Sequence, residues 1–168
     1  MTTPAPGTSR GTSARSLLAT AFRTEPSTLG TDIAAVSVRI VLVWIFVYYG
    51  AGKLFGAFDG PGIHQTSLFM ESTAHLHPGG LFAVVAGVIE LGGALAIGFG
   101  LAARFAAVAL IVDQVMAMVT VTWAHGLSGS INTGYELNLA LVAMALVIVG
   151  IGAGRPSLDA MISRRLRR

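Results

Sequence analysis

The sequence predicts an all-α fold, a four-transmembrane-helix bundle with both termini in the cytoplasm. Three observations predict it. Of 168 residues, 54% are hydrophobic and only 11% charged, whereas soluble domains carry about 25% charged residues. Four apolar runs each approach the ~20 residues that cross ~30 Å of hydrocarbon. The basic residues are also segregated. Arg10, Arg15, Arg23, Arg104, Arg155, Arg164, Arg165, Arg167 and Arg168 fall on one side of such a bundle, and Lys53 alone on the other. Basic residues concentrate on the cytoplasmic side.

Residues 1–31 are rich in Thr, Ser, Ala, Pro and Gly and read as a disordered cytoplasmic arm. Within it, Arg15 to Arg23 could form a short amphipathic turn on the lipid surface. No basic start followed by an apolar core is present, so no secretory signal is expected. Residues 32–154 make the membrane domain. Its apolar runs are Ile33 to Leu54, Leu81 to Phe99, Ala102 to Trp123 and Leu137 to Ile151. The last is short and needs Gly134 to Glu136 and Gly152 to Gly154 to reach both interfaces. In lipid these backbones must be helical, because hydrocarbon offers no partner for free N–H and C=O groups.

Between the runs, Phe55 to Gly80 reads as a long loop broken by Asp59, Gly60, Pro61, Gly62 and Pro78. Gly100 and Leu101 give a tight turn, and Ala124 to Tyr135 a short polar loop. Residues 155–168 form a basic amphipathic cytoplasmic tail. There Ser157 can cap a helix carrying Leu158, Met161, Ile162 and Leu166 on one face. The net charge of +3 thus describes an attraction to acidic lipid, not a nucleic-acid-binding face. The absence of cysteine excludes disulfides and thiol chemistry within this chain.

Ionisable residues inside the apolar runs carry the functional signal. A charge at a helix centre costs at least ~2.5 kcal/mol, so such groups should face inward and meet. At ~1.5 Å rise per residue, Arg39 lies roughly 9 Å, and Glu90 and Asp113 roughly 13 Å, from the cytoplasmic ends of their runs. Two polar layers are expected: Arg39 with Glu90 and Asp113 in the membrane, and Lys53 with Glu136, near His125, as an outer pocket. Small residues follow the carboxylates at helical spacing, among them Gly87, Gly93 and Ala117, and mark helix contacts. One carboxylate suffices to neutralise Arg39, so the second is an excess acid able to handle protons. The alternative is that these charges only fix helix register.

Other candidates are weaker. His64, His75, His77 and His125 lie on the outer side without a metal-binding motif, and no metal is expected. Glu71 and His75 are four apart and could share a helix face. The tryptophans and tyrosines sit mostly near span ends, as interface anchors do.

The order of motifs adds a family. Arg39 precedes Tyr49-Gly50-Ala51-Gly52-Lys53-Leu54; Glu90-Leu91-Gly92-Gly93 precedes Gly100-Leu101-Ala102-Ala103-Arg104; and Gly152-Ala153-Gly154-Arg155-Pro156-Ser157-Leu158-Asp159 closes the chain. Over about Asp32 to Ala160 this resembles the DoxX family of small bacterial integral membrane proteins. The resemblance implies a four-helix bundle in the plasma membrane, with Arg39, Lys53 and Glu90 at the family's charged positions. It also implies links to thiosulfate:quinone oxidoreduction or to oxidative-stress complexes.

The leading expectation is a membrane subunit or anchor of a redox complex, accessory to catalysis, with a quinone as the cofactor implied. Its partners would be lipid and either a redox protein or a second copy of the chain. The alternatives are a transporter or channel for a small solute or protons, and a non-catalytic scaffold.

Overall fold

The computed structural model describes residues 28–128 and 134–166. The arm's amphipathic turn lies outside them, as do Arg167 and Arg168. Helix α1 spans Thr28–Phe55 and is followed by a 3-10 turn, Ala57–Asp59, and α2, Gly62–Ser72. Then come α3, Gly79–Phe99, and α4, Ala103–Ala117, which runs on through a π turn at Met118–Thr122 and a 3-10 turn at Trp123–His125. Helix α5 is Glu136–Ile151 and α6 is Leu158–Leu166. Among the described residues there is no strand.

Three helical segments are long and apolar enough to cross a membrane: Thr28–Phe55, Gly79–Phe99 and Ala103–His125. The fourth long helix, α5, has 16 residues. The glycines expected to lengthen it do not, because Gly152 and Gly154 both sit at φ +78° and end the helix.

Each long helix buries one main stripe and leaves much of its remaining surface exposed. In α1 the buried stripe is Ala35, Arg39, Leu42, Phe46 and Gly50. In α3 it is Ala83, Gly87, Glu90, Ala94 and Ile97. Spacings of three and four place these side chains over one another on one face. The remaining surface is apolar, with Trp44 79% and Phe105 81% exposed. A water-soluble protein rarely exposes apolar area on this scale; in lipid that area needs no cover.

The four long helices close into a ring, α3 packing on α1, α4 on α3, α5 on α4, and α5 returning to α1. Phe46, Leu42, Ile97, Leu110 and Ile148 fill its centre. Close approach of α1 and α3 depends on Gly50, where an added Cβ would stand 2.6 Å from the backbone nitrogen of Leu91. Backbone cannot swing aside as a side chain can. Gly50→Ala should therefore cost roughly 1–3 kcal/mol through overpacking, read as a lower midpoint in unfolding by sodium dodecyl sulfate.

The segment read as a long loop contains α2, which folds back over one end of the ring against α3. Its Thr66 hydroxyl donates to Gly62 O at 2.7 Å, and Glu71 accepts from Gly79 N–H at 2.9 Å. Glu71 and His75 do not share a helix face, because α2 ends at Ser72 and His75 has φ +56°.

At the opposite end the start of α1 meets the segment after α5. Asp32 accepts from Arg155 N–H at 2.9 Å. Asp159 accepts from the N–H groups of Ala102 and Ala103 at 2.8 and 3.0 Å, satisfying free donors at the start of α4. Ser157 Oγ accepts from Ala160 N–H at 3.2 Å and caps α6. On α6, Leu158, Met161 and Ile162 are exposed.

Candidate functional site

Antiparallel packing of α1 and α3 decides which charges meet. Gly50 lies against Leu91, and Gly87 against Leu54, whose Cγ is 2.6 Å from an ideal Cβ on that glycine. This register puts Lys53 level with Glu90, and the Lys53 ammonium donates to Glu90 Oε1. The Glu90 side chain is 3% exposed, and that of Lys53 24%. Lys53 Nζ also lies 5.9 Å from the centre of the Tyr49 ring. Asp113 of α4 is within electrostatic reach of both Lys53 and Glu90. Among the described residues, Glu90 Oε2 is buried without a hydrogen-bond partner.

A chain of side-chain hydrogen bonds extends from Asp113. Thr122 Oγ1 donates to Asn138 Oδ1 at 3.1 Å, Asn138 Nδ2 to Gln114 Oε1 at 2.9 Å, and Gln114 Nε2 to Asp113 Oδ2 at 3.1 Å. Every donor points towards the carboxylate. The chain therefore ties α4 to α5 and fixes the Asp113 rotamer. Sequence reasoning missed Gln114, Asn138 and Thr122. Gln114 and Asn138 carry amide side chains inside apolar runs, and that was the available signal.

Above this cluster is a cavity of about 870 Å³. Its floor holds Lys53 and Asp113. The walls are largely apolar: Phe82, Val85 and Ile89 from α3, and Val112, Met116 and Val121 from α4 and the π turn. Tyr48 and Tyr49 close one side, and Thr66, Phe69 and Met70 of α2 form the roof. The π turn widens α4 where it borders this space, a distortion frequent at functional sites.

Two expected pairings are corrected. Arg39 does not join Glu90 and Asp113. It donates to four carbonyls: Ile97 O at 2.9 Å, Ala153 O at 2.8 Å, Pro156 O at 2.9 Å and Gly98 O. The carbonyls of Ile97 and Gly98 are in the last turn of α3, where the dipole is negative and helical partners run out; Ile97 O also accepts from Gly100 N–H at 3.0 Å. Seven residues of α3, about 10 Å, separate Ile97 from Glu90, too far for one guanidinium to serve both.

Lys53 does not pair with Glu136. Glu136 and His125 are exposed and do not line the cavity. Asn138 faces inward on α5, and Glu136, two residues earlier, is turned about 200° away from it. Beside them Trp123 stacks on Tyr135, centroids 5.3 Å apart. Of the expected packing residues, Gly87 and Gly93 lie against Leu54 and Leu110, whereas Ala117 lines the cavity.

An apolar-surfaced helical protein with a buried ion pair beneath a largely apolar cavity belongs to the class of multi-pass membrane proteins. The chain belongs to the DoxX family, whose sequence model matches residues 34–123, more than half of its length. No curated protein and no solved structure matches it.

Proposed function

We propose that this DoxX protein is a four-span subunit of the bacterial plasma membrane that supports a redox complex and docks a quinone-type head group in the Lys53–Asp113 cavity. The observation that carries the reading is that cavity. Its volume of about 870 Å³ falls within the ~300–1,000 Å³ usual for small-molecule sites. A few polar groups at the bottom of apolar walls suit a ligand with a polar head and a lipid-soluble body.

The closed ring of four long helices supports this topology. Helix α5 is the fourth span, its 16 residues seated between longer neighbours. The end bearing Arg104, Arg155 and Arg164 faces the cytoplasm by the excess of basic residues, and the roofed cavity then opens near the outer face. At the floor, the Lys53 ammonium is a donor for a head-group carbonyl and Asp113 orients a second oxygen. Quinones supply reversible two-electron chemistry when bound. Any thiol or sulfur chemistry would come from a partner, because the chain has no cysteine.

Purification from membranes in mild detergent, with lipid extraction and identification of co-purifying proteins, tests the reading. It predicts bound quinone that is lost in Lys53→Met and a redox protein among the partners. Absence of both would overturn it. A second reading, a proton-linked solute carrier, draws support from the buried Oε2 of Glu90, which has no hydrogen-bond partner among the described residues. Liposome flux dependent on Glu90 would favour it.

A further inference from the structure

Three ionisable groups meet at and just beneath the cavity floor: Lys53 and Asp113, which line it, and Glu90, buried behind them. With all three ionised, the cluster would carry one uncompensated negative charge among apolar helices. The structure holds a further sign of this imbalance. Glu90 is 2% exposed, and its Oε2 has no partner among the described residues, although a buried carboxylate oxygen is costly to leave unpaired. One proton placed between the two carboxyls resolves both problems. It neutralises the cluster and gives the free oxygen a partner. Two carboxyls that share a site cannot readily both ionise, and their proton belongs to the pair and not to either residue.

We propose that Glu90 and Asp113 share a single proton, which lets Asp113 meet a ligand oxygen in the cavity either as donor or as acceptor. When a carbonyl ligand is present, the proton sits on Asp113 and its O–H turns from Glu90 to donate to that carbonyl. With the proton on Glu90, the Asp113 carboxylate accepts from a hydroxyl. Only a proton moves between two protein oxygens, and no electrons are transferred. The ligand part of this proposal rests on the quinone-type reading of the cavity. It extends that reading to a site that holds both the carbonyl and the hydroxyl form of one head group.

The surroundings permit this exchange. Lys53 and Tyr49 of α1 are the titratable groups nearest the pair on that helix, and Tyr48 and Asp59 lie on the cavity wall. From α2 come only uncharged groups such as Gln65 and Thr66, and α5 contributes Asn138 through Gln114. The Gln114 amide donates to Asp113 Oδ2, which leaves the other oxygen, Oδ1, for a proton or a ligand.

Infrared spectroscopy of the full chain in liposomes at neutral pH reads the proton without any ligand. One carboxyl carbonyl stretch per chain is expected, shifting in deuterated water. It should vanish in both Glu90→Gln and Asp113→Asn, because Lys53 alone then balances the remaining carboxylate. Lys53→Met should instead raise it to two groups per chain, which keeps the test decisive if either carboxyl variant fails to fold. A wild-type chain without the band, or a band surviving in both carboxyl variants, overturns the shared proton.

Binding of decyl-benzoquinone and of its hydroquinone then tests the ligand half. Wild type should bind both within about tenfold of each other, and Glu90→Gln should move the preference towards the hydroquinone by about tenfold, the worth of one hydrogen bond. An unchanged preference overturns the donor-or-acceptor role. The infrared band with no binding of either compound overturns the quinone reading and upholds the shared proton.

Discussion

Arg39→Met should be among the most damaging single substitutions in the chain, lowering stability by on the order of 3 kcal/mol. The guanidinium donates to the carbonyls of Ile97, Gly98, Ala153 and Pro156; Ile97 O keeps Gly100 N–H as a partner without it, but a buried acceptor left with none costs ~1–3 kcal/mol. Water cannot easily replace it, because Arg39 is only 8% exposed. The loss would also be structural in a specific way. Arg39 joins the end of α3 to the segment after α5, so its removal should loosen the C-terminal portion of the chain before the rest. Arg39→Lys keeps the positive charge near the negative end of α3 but not the planar fork of five donors, and should fall between. Unfolding in sodium dodecyl sulfate, followed by circular dichroism, gives the ranking. Limited proteolysis should cut the methionine variant first between residues 152 and 166. A methionine variant as stable as wild type would show that the carbonyls do not need the arginine.

Lys53→Met should cost roughly 3 kcal/mol, near the low end of the range for removing one partner of a buried pair. Proton uptake by the abandoned carboxyls limits the loss, so the deficit should shrink as the pH is lowered. Combining it with Glu90→Gln should recover much of the stability, because the amide needs no counter-ion. The double-mutant cycle isolates the interaction between the two residues, which should be favourable by more than ~1 kcal/mol. Additive losses would mean that the ion pair contributes nothing. A cycle pairing Lys53→Met with Glu136→Gln serves as the control and should show no coupling, since Glu136 is exposed and away from the cavity.

Much of the fold was legible because lipid simplifies the code. Apolar runs beginning near Ile33, Leu81 and Ala102 correspond to helices beginning at Thr28, Gly79 and Ala103, and small residues such as Gly87 and Gly93 do stand where helices touch. Helix α2 was hidden by its flanks: the Gly and Pro residues that read as loop breakers at 60–62 also precede its first turn. The charged residues were identifiable, but their pairing was not. Depth measured from the end of a run gives no register between neighbouring helices. The register here depends on close contacts, Gly50 on Leu91 and Leu54 on Gly87, which shift Lys53 down to Glu90 and leave Arg39 at the carbonyl end of α3. Arg39 also showed that a buried cation in a helical membrane protein can direct all its hydrogen bonds to backbone carbonyls, at the end of α3 and in the segment after α5, partners that no search for carboxylates would find.

The natural absence of cysteine makes the central pairing directly measurable. Paired cysteines introduced at Lys53 and Glu90 should be joined in membranes by a short bifunctional thiosulfonate within one chain, whereas pairs at Lys53 and Glu136, or at Arg39 and Glu90, should stay open under the same conditions. Efficient joining of either of the latter pairs, with none between positions 53 and 90, would contradict the arrangement of charges described above.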